Sequence, residues 1–221
     1  MAADREQIRN VKIVALDVDG TLATGNFWQK MHALTGITLE EDDRWFRDYY
    51  SKVISFESWA ETIALRYRDS RIPISKFRSL ISVVRIVPGA GEVVQKLKEH
   101  YKLCLISSNV DFYVAHVARR LGISRYYANY RLNTDANGIV TDITYTAPED
   151  KAKVIALKDM CREHTVVPSQ VVFVGDSDND IPAFAFTGRG ILVGEGNREL
   201  RRLAWKRIKT ISELPEILGI E

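Results

Sequence analysis

Ala15-Leu16-Asp17-Val18-Asp19-Gly20-Thr21-Leu22 decides the fold, because it joins an apolar run to a pair of acids. The run before it, residues 11–16 with a single lysine, predicts a buried strand. Asp17 and Asp19 stand two residues apart, and on a strand that spacing directs both carboxylates to one side. Gly20 then permits a sharp turn. Crowded carboxylates are costly unless something neutralises them, and their oxygens suit Mg²⁺. The stretch therefore predicts a divalent-cation site at the end of a strand.

The composition is that of an ordinary globular protein. The chain has 221 residues, 46% of them hydrophobic and 27% charged, which is enough for a sizeable core. Its formal net charge of +2 favours neither a nucleic acid nor an anionic membrane as partner. The polar N-terminus and the lack of a long apolar run predict no signal peptide and no membrane span. Cys104 lies in an apolar run and far from Cys161, which predicts a buried thiol in a reducing compartment. We therefore expect a cytoplasmic protein, and the sequence indicates no oligomeric state.

Residues 23–87 differ in character from the rest of the chain. Aromatic and aliphatic residues recur there with helical spacing, breaks fall near Gly36 and Pro73, and the pattern predicts no strand. We expect about four helices packed on one another as an all-helical insert. Residues 1–22 and 88–221 would then form an α/β catalytic core, and residues 23–87 a helical cap.

The segments on both sides of this insert alternate between strands and helices. After it, Lys102 to Ile106 and Gln170 to Val174 predict strands, and a helix from about residue 110 should end at Gly122. Asn137-Gly138 predicts a hairpin between residues 126–132 and 139–145. Such alternation is typical of a doubly wound parallel sheet, in which ligands bind at the carboxyl ends of the strands.

Polar clusters follow three of the predicted strands at such ends. Each cluster alone also has an ordinary structural explanation: a solvated turn, a helix N-cap or a polar loop. Their common placement at strand ends is what favours a functional site. The clusters are Asp17 with Asp19, Ser107 with Ser108, and Asp176 with Asp180.

Two further features fit a bound anion. Ser107 closes a predicted strand and offers a hydroxyl, while the amides of Ser108 and Asn109 would begin the next helix and bind an anion. Lys151 is predicted in the first turn of a helix, where a cation works against the helix dipole. That position makes sense if the lysine faces an anion, although a solvated surface lysine is the alternative.

Four motifs in order carry a resemblance to a known family: DVDGT (17–21), ISSN (106–109), Lys151 in EDKAKVI, and GDSDND (175–180). With them the sequence resembles the haloacid dehalogenase superfamily of phosphohydrolases, and within it the phosphoserine-phosphatase-like branch. The resemblance covers nearly the whole predicted core. It implies a Rossmann-like α/β core and a mobile helical cap of the C1 type inserted after the first motif.

The resemblance implies a catalytic role for each acid. Asp17 would be the nucleophile that forms an aspartyl-phosphate, and Asp19 the general acid and then the general base. Mg²⁺ would be held by the side chains of Asp17 and Asp176 and by the backbone carbonyl of Asp19. Asp180 would orient metal-bound water without touching the metal.

The same resemblance implies the phosphate-binding residues. Ser107 and the amide of Ser108 would hold the phosphoryl oxygens, Lys151 would neutralise their charge, and Asn179 would help to hold the phosphate. An acid two residues after the nucleophile separates phosphatases from the dehalogenating relatives, because a halide leaves without a proton.

The substrate is less well indicated than the chemistry. Phosphoserine phosphatases recognise the amino acid with an acid after the first motif and an arginine in the cap, and these positions align with Asn26 and Ile63 here. Arg66 and Arg68 lie near enough in sequence to substitute. Most aromatic residues of the insert should form its own core, with Trp28 and Phe27 as candidates to line an apolar pocket.

The predicted function is therefore a Mg²⁺-dependent phosphomonoester hydrolase acting on a small phosphorylated metabolite through an aspartyl-phosphate, with phosphoserine itself in question. A phosphotransferase or phosphomutase with the same intermediate is the alternative. A non-catalytic phospho-acceptor or binding module is a more distant one.

Overall fold

The computed structural model describes residues 8–220, which are built around a seven-stranded sheet. In chain order the strands are β1 (Ile13–Leu16), β2 (Lys102–Val110), β3 (Tyr126–Thr134), β4 (Val140–Tyr145), β5 (Val171–Gly175), β6 (Gly190–Val193) and β7 (Ala204–Ile208). Across the sheet their order is β4-β3-β2-β1-β5-β6-β7, and every neighbouring pair is parallel except β3 with β4. The doubly wound sheet and the hairpin predicted around Asn137-Gly138 are both confirmed.

Helices connect the strands and bury the sheet on both faces. They are α1 (Phe27–Leu34), α2 (Leu39–Tyr50), α3 (Phe56–Ser70), α4 (Ile74–Ser79), α5 (Ala90–His100), α6 (Asp111–Leu121), α7 (Glu149–His164), α8 (Ile181–Thr187), α9 (Arg198–Leu203) and α10 (Leu214–Ile217), with 3₁₀ turns at Leu80–Val83, Pro168–Gln170, Asp178–Asp180 and Ile211–Glu213. Within β1, Val14 and Leu16 belong to one hydrophobic cluster, whereas Ile13 and Ala15 belong to the other. A strand buried on both faces reads as a continuous apolar run, which is what residues 11–16 show. Among residues 8–220, no helix combines the length and apolarity needed to cross a bilayer.

The insert between β1 and α5 consists of α1 to α4 and one 3₁₀ turn, in agreement with the expected four helices. It packs on the β3–β4 hairpin: the ring of Phe56 meets that of Tyr145 edge to face at 4.7 Å, and Arg68 Nε donates to the carbonyl of Thr141 at 3.2 Å. Thr38 and Glu41 form a reciprocal capping box at the start of α2. The division into a cap at 23–87 and a core at 1–22 and 88–221 stays a prediction, and residues 1–7 and 221 lie outside the described residues.

Strand β2 is longer than predicted. The sequence predicts a strand that ends at Ile106, but β2 continues to Val110. Helix α6 begins at Asp111, close to the predicted start at about residue 110. Pairing of Val110 with Tyr130 extends the strand past an irregularity in register. The amides of Ser108 and Asn109 therefore lie in a strand, and the prediction that they form a helix N-terminal anion site is wrong.

Candidate active site

The nucleophile candidate, Asp17, follows directly after β1 at the middle of the sheet. Its backbone N–H donates to the carbonyl of Val174 at 2.9 Å, so the residue continues the pairing of β1 with β5. Its side chain is buried, and Oδ1 accepts a hydrogen bond from Lys153 Nζ at 2.8 Å. Because β1 lies between β2 and β5, the polar residues at the ends of all three strands meet around this carboxylate.

Three carboxylates and one ammonium group form the charged centre of the site. Oxygens of Asp17, Asp176 and Asp180 lie within 4.8 Å of one another, and Lys153 contacts Asp17 and Asp180. With every group ionised, the cluster carries a net charge of −2. Burial and the neighbouring carboxylates raise the pKa of Asp17 well above its usual range, although Lys153 acts against this. A divalent cation would balance the charge that remains.

Asp176 is the second acid that is available to a metal. Burial, together with the charge of Asp180, raises the pKa of Asp176 to about 7. Its Oδ1 accepts a hydrogen bond from the Thr21 hydroxyl at 3.2 Å. Gly20 makes this approach possible, because a Cβ on it would lie 2.1 Å from Asp176 Oδ2. Gly20 thus allows the motif at residues 17–21 to pack against the motif at residues 175–180.

Asp180 is fully buried and its oxygens are already engaged by protein donors. Oδ2 accepts hydrogen bonds from the N–H groups of Asp176 at 2.9 Å and Ser177 at 3.0 Å, and Oδ1 accepts one from Lys153. Gly175 leaves room for the carboxylate, since a Cβ there would come within 2.3 Å of Oδ2. These bonds suit a residue that fixes the loop 175–180 and the lysine rather than one that binds the metal directly.

The lysine of the site is Lys153, and the prediction of Lys151 is wrong. Lys153 is buried and donates to Asp17, Asp180 and Asn179, whereas Lys151 is exposed in the first turn of α7. Two positions on a helix differ in direction by about 200°, so the two lysines face opposite sides. The apolar pattern of the helix could have found the right one. Position 153 precedes the buried Ala156 and Leu157 by three and four residues, on the inward face.

The general-acid candidate, Asp19, is held by three donors. Its Oδ1 accepts hydrogen bonds from the Tyr113 hydroxyl at 2.9 Å and the Phe27 N–H at 3.1 Å, and Oδ2 accepts one from Asn109 Nδ2 at 2.8 Å. Burial raises the pKa of Asp19, and these three hydrogen bonds act against the rise. Sequence reasoning missed the side chains of Tyr113 and Asn109. Asn109 belongs to a recognised motif and could have been considered, whereas nothing local marks Tyr113.

Except for Lys151, the predicted phosphate-binding residues lie together in one cleft. Ser107, Ser108 and Asn179 line the same cleft as Asp17 and Asp19. Lys153 Nζ donates to Asn179 Oδ1 at 2.9 Å, which fixes the amide beside the charged centre. Ser108 is buried, and its side chain interacts with the Glu149 carboxyl group. Ligation by the Asp19 backbone carbonyl stays a prediction.

A family model described as haloacid dehalogenase-like hydrolase matches residues 11–188. The chain belongs to this family. Phosphoserine phosphatase from Lactococcus lactis subsp. lactis is 34% identical over 137 residues, which cover 61% of each chain. Phosphoserine phosphatase from Archaeoglobus fulgidus is 23% identical over 190 residues, covering 83% of this chain and 52% of that protein. The chain therefore spans between half and two thirds of the length of these two relatives.

The fold of the chain also matches a solved structure, a phospho-aspartyl intermediate analogue of phosphoserine phosphatase. The TM-score is 0.76 at 24% identity, with 96% of this chain and 99% of that chain covered. At this identity the likeness concerns the fold, which agrees with the Rossmann-like core expected from the motifs.

The cleft has a polar floor and largely aromatic walls, and encloses about 950 Å³ including its open mouth. Asn26 and Ile63, the positions aligned with the serine-recognising acid and arginine, both line it. Neither nearby arginine substitutes: Arg66 pairs with Glu41, and Arg68 donates to a backbone carbonyl on β4. The wall residues beyond the floor are Trp28, Phe46, Phe56, Trp59, Ala60, Ile63, Tyr130, Ile143 and Tyr145.

Proposed function

We propose that the protein is a Mg²⁺-dependent phosphomonoester hydrolase that acts on a small phosphorylated metabolite through an aspartyl-phosphate on Asp17. The observation that carries the proposal is the setting of this carboxylate. It is buried at a strand end, is 2.8 Å from a buried lysine and opens onto a cleft. Two further acids stand within 4.8 Å of it, which supports a metal beside the nucleophile.

The donor set fits Mg²⁺. Carboxylate oxygens are the ligands that this ion prefers, and a charge of +2 would balance the cluster. Asp17 and Asp176 would hold the ion, together with the backbone carbonyl of Asp19, while Asp180 would hold Lys153 and orient water. When bound, Mg²⁺ offsets the repulsion between the attacking carboxylate and the phosphate. Burial raises the pKa of both Asp17 and Asp176, and a bound cation would favour their ionised forms.

In the first half of the reaction a carboxylate oxygen of Asp17 bonds to phosphorus as the ester P–O bond breaks. Asp19 gives its proton to the departing alkoxide, a step that its raised pKa favours. Lys153 stays charged throughout: burial opposes its charge, but the carboxylates of Asp17 and Asp180 outweigh burial and raise the pKa of Lys153. Its ammonium keeps the nucleophile in place.

In the second half Asp19 accepts a proton from a water molecule, whose oxygen attacks phosphorus. The bond to Asp17 breaks, and inorganic phosphate leaves. Ser107, the backbone of Ser108 and Asn179 would bind the equatorial phosphoryl oxygens in both halves. The role that the sequence assigned to Lys151 passes to Lys153 in this proposal.

We also propose that residues 23–87 act as a cap that excludes water during the first half. Two contacts support a role for the insert at the site. The Phe27 N–H donates to Asp19, and Trp28 Nε1 donates to the carbonyl of Ser108 at 2.8 Å. Elsewhere in the insert, at the end of α2, the Tyr49 hydroxyl donates to the Asp150 carboxylate at 2.7 Å. The cytoplasmic location stays a prediction from the sequence.

The test is Mg²⁺-dependent hydrolysis of p-nitrophenyl phosphate. Wild-type protein should turn over only with the metal, and Asp17→Asn should lose about a thousandfold or more of kcat. The matched control is Asp43→Asn, the same change at an exposed residue of α2, which should behave as wild type. The proposal fails if no metal-dependent turnover is found or if Asp17→Asn stays active. Product analysis with an added alcohol separates hydrolysis from phosphotransfer.

A further inference from the structure

We propose that the cleft selects phosphomonoesters whose alcohol carries a positively charged amine or quaternary ammonium group and no carboxylate. The inference rests on the proposed function, since it names the leaving group of that reaction. Its basis is the charge and shape of the cleft beyond the reacting acids.

The charges that line the cleft are all negative within residues 8–220. Besides Asp17 and Asp19, the lining includes the acids Asp42 and Glu149, and it includes no lysine or arginine. Glu149 is buried, and its Oε2 accepts a hydrogen bond from the Tyr130 hydroxyl at 3.0 Å. A carboxylate on the leaving alcohol would find no counter-charge here and would meet two acids, whereas a cation would be attracted to both.

Asp42 lines the cleft beside a histidine. Asp42 Oδ1 lies 3.4 Å from His32 Nε2, and the Tyr67 hydroxyl lies 2.9 Å from His32 Nδ1. Both ring nitrogens of His32 therefore have a polar neighbour within the protein. The other Asp42 oxygen, Oδ2, has no hydrogen-bond partner among the described residues.

Aromatic side chains of the cleft wall pack edge to face. Trp28 and Tyr130 are 5.0 Å apart between centroids and inclined at 87°, and Phe46 and Trp59 are 6.2 Å apart at 82°. Electron-rich aromatic faces that border a cleft attract cations of the ammonium type. Such an aromatic wall also accepts apolar groups. Asp42 is therefore the residue that favours a charged alcohol over a neutral one of equal shape.

The experiment compares two substrates of equal shape: phosphocholine and its neutral carbon isostere, 3,3-dimethylbutyl phosphate. With wild-type enzyme we expect kcat/KM to be about tenfold or more higher for phosphocholine. The kcat/KM for phosphoserine should be lower than both values, because no lysine or arginine among the described residues lines the cleft to pair with its carboxylate. Equal or greater kcat/KM for the neutral isostere would overturn the inference, as would a preference for phosphoserine.

Variants test whether Asp42 is responsible for the preference for a cationic alcohol. Asp42→Asn should lower the ratio of the two kcat/KM values by about tenfold, while Asp43→Asn, on the exposed side of the same helix, should leave that ratio unchanged. An unchanged ratio in Asp42→Asn would refute the role of this residue. Wild-type enzyme gives a second reading that needs no variant: choline should inhibit hydrolysis of p-nitrophenyl phosphate competitively, and more strongly than neutral 3,3-dimethylbutan-1-ol. Equal inhibition by the two alcohols would count against the inference.

Failure of the substrate class and failure of the proposed function are distinguishable. Hydrolysis of p-nitrophenyl phosphate without a preference for the cationic ester would leave the phosphatase proposal standing and remove this one. Absence of any Mg²⁺-dependent hydrolysis would remove both.

Discussion

Replacing Lys153 by methionine tests the charged centre most directly. The side chain is 2% exposed and its ammonium contacts Asp17, Asp180 and Asn179. Methionine keeps the length of the chain but removes the charge, which leaves buried carboxylates without a counter-ion. Breaking a buried pair in this way costs about 3–5 kcal/mol. For a chain of this size, that loss lowers Tm by about 6–20 °C in metal-free buffer at neutral pH.

Activity should fall together with stability, because Lys153 fixes the nucleophile. Loss of one stabilising charge at a reacting centre typically lowers kcat by about 10²–10³. The matched control is Lys151→Met, two residues away on the exposed side of α7, which should change the free energy of unfolding by less than about 0.5 kcal/mol. Lys153→Arg keeps the charge in a larger group and should be intermediate in activity.

The assay is differential scanning calorimetry of the three variants, followed by kcat for p-nitrophenyl phosphate under conditions where each is folded. The loss of Tm caused by Lys153→Met should also be smaller at pH 5, because protonated carboxyl groups around Lys153 depend less on its charge. The reasoning is refuted if Lys153→Met keeps wild-type kcat, or if Lys151→Met is the variant that loses activity.

Three further predictions follow from the geometry. Burial raises the pKa of Asp176 to about 7, so the folded apoprotein binds this proton more tightly than the unfolded chain does. Its unfolding free energy should fall by up to about 4 kcal/mol as pH rises from about 4 to about 7. Mg²⁺ needs the ionised acid, so it should raise Tm more at pH 8 than at pH 5 by calorimetry. Tyr113→Phe removes a donor from Asp19 and should raise the pKa of Asp19 in the pH profile of kcat/KM by about one unit. Gly20→Ala should displace Asp176 and weaken Mg²⁺ binding at least tenfold by titration calorimetry. Gly25→Ala, also at positive φ but with nothing within 4 Å, should change only stability.

The convergence of Asp17, Ser107 and Asp176 could be predicted because it depends on two regular features. Alternating strands and helices give a parallel sheet, and parallel strands end at one edge. The shared edge follows from the polar residues at the ends of the apolar runs, whereas the close approach also depends on β1 lying between β2 and β5 in the sheet. The family motifs then gave each residue a role that composition alone does not supply.

The two errors have different physical causes. Lys151 was chosen from its position relative to the helix dipole, which is a weak local effect of about 0.3–1 kcal/mol. The amphipathic face, which places Lys153 with Ala156 and Leu157 inside, is set by the burial of the whole helix and dominates. The end of β2 was placed too early because Ser107-Ser108-Asn109 is a polar sequence. Tertiary pairing with β3 extended the strand through it.

The contacts of the insert with the core could not be predicted from the sequence. Trp28 Nε1 reaches the carbonyl of Ser108 across 80 positions of the chain, and nothing local to either residue indicates the pairing. Its helices were expected from their apolar spacing, but spacing gives only the existence of a buried face. Which aromatic residues line the cleft and which form the core of the insert depends on how α1 and α3 pack against the β3–β4 hairpin.

In the proposed mechanism, helix α1 would connect recognition of the leaving group with the proton transfer that releases it. The N–H of Phe27 donates to Asp19, and the next residue, Trp28, forms part of the cleft wall and donates to the backbone of Ser108. An alcohol that packs on Trp28 therefore acts on the same helical turn that positions the general acid. The charged centre, in contrast, is fixed by the strand ends and by α7, without help from the insert. Binding energy from the alcohol can thus be used to order Asp19 at the moment of proton transfer, which raises kcat rather than only lowering KM.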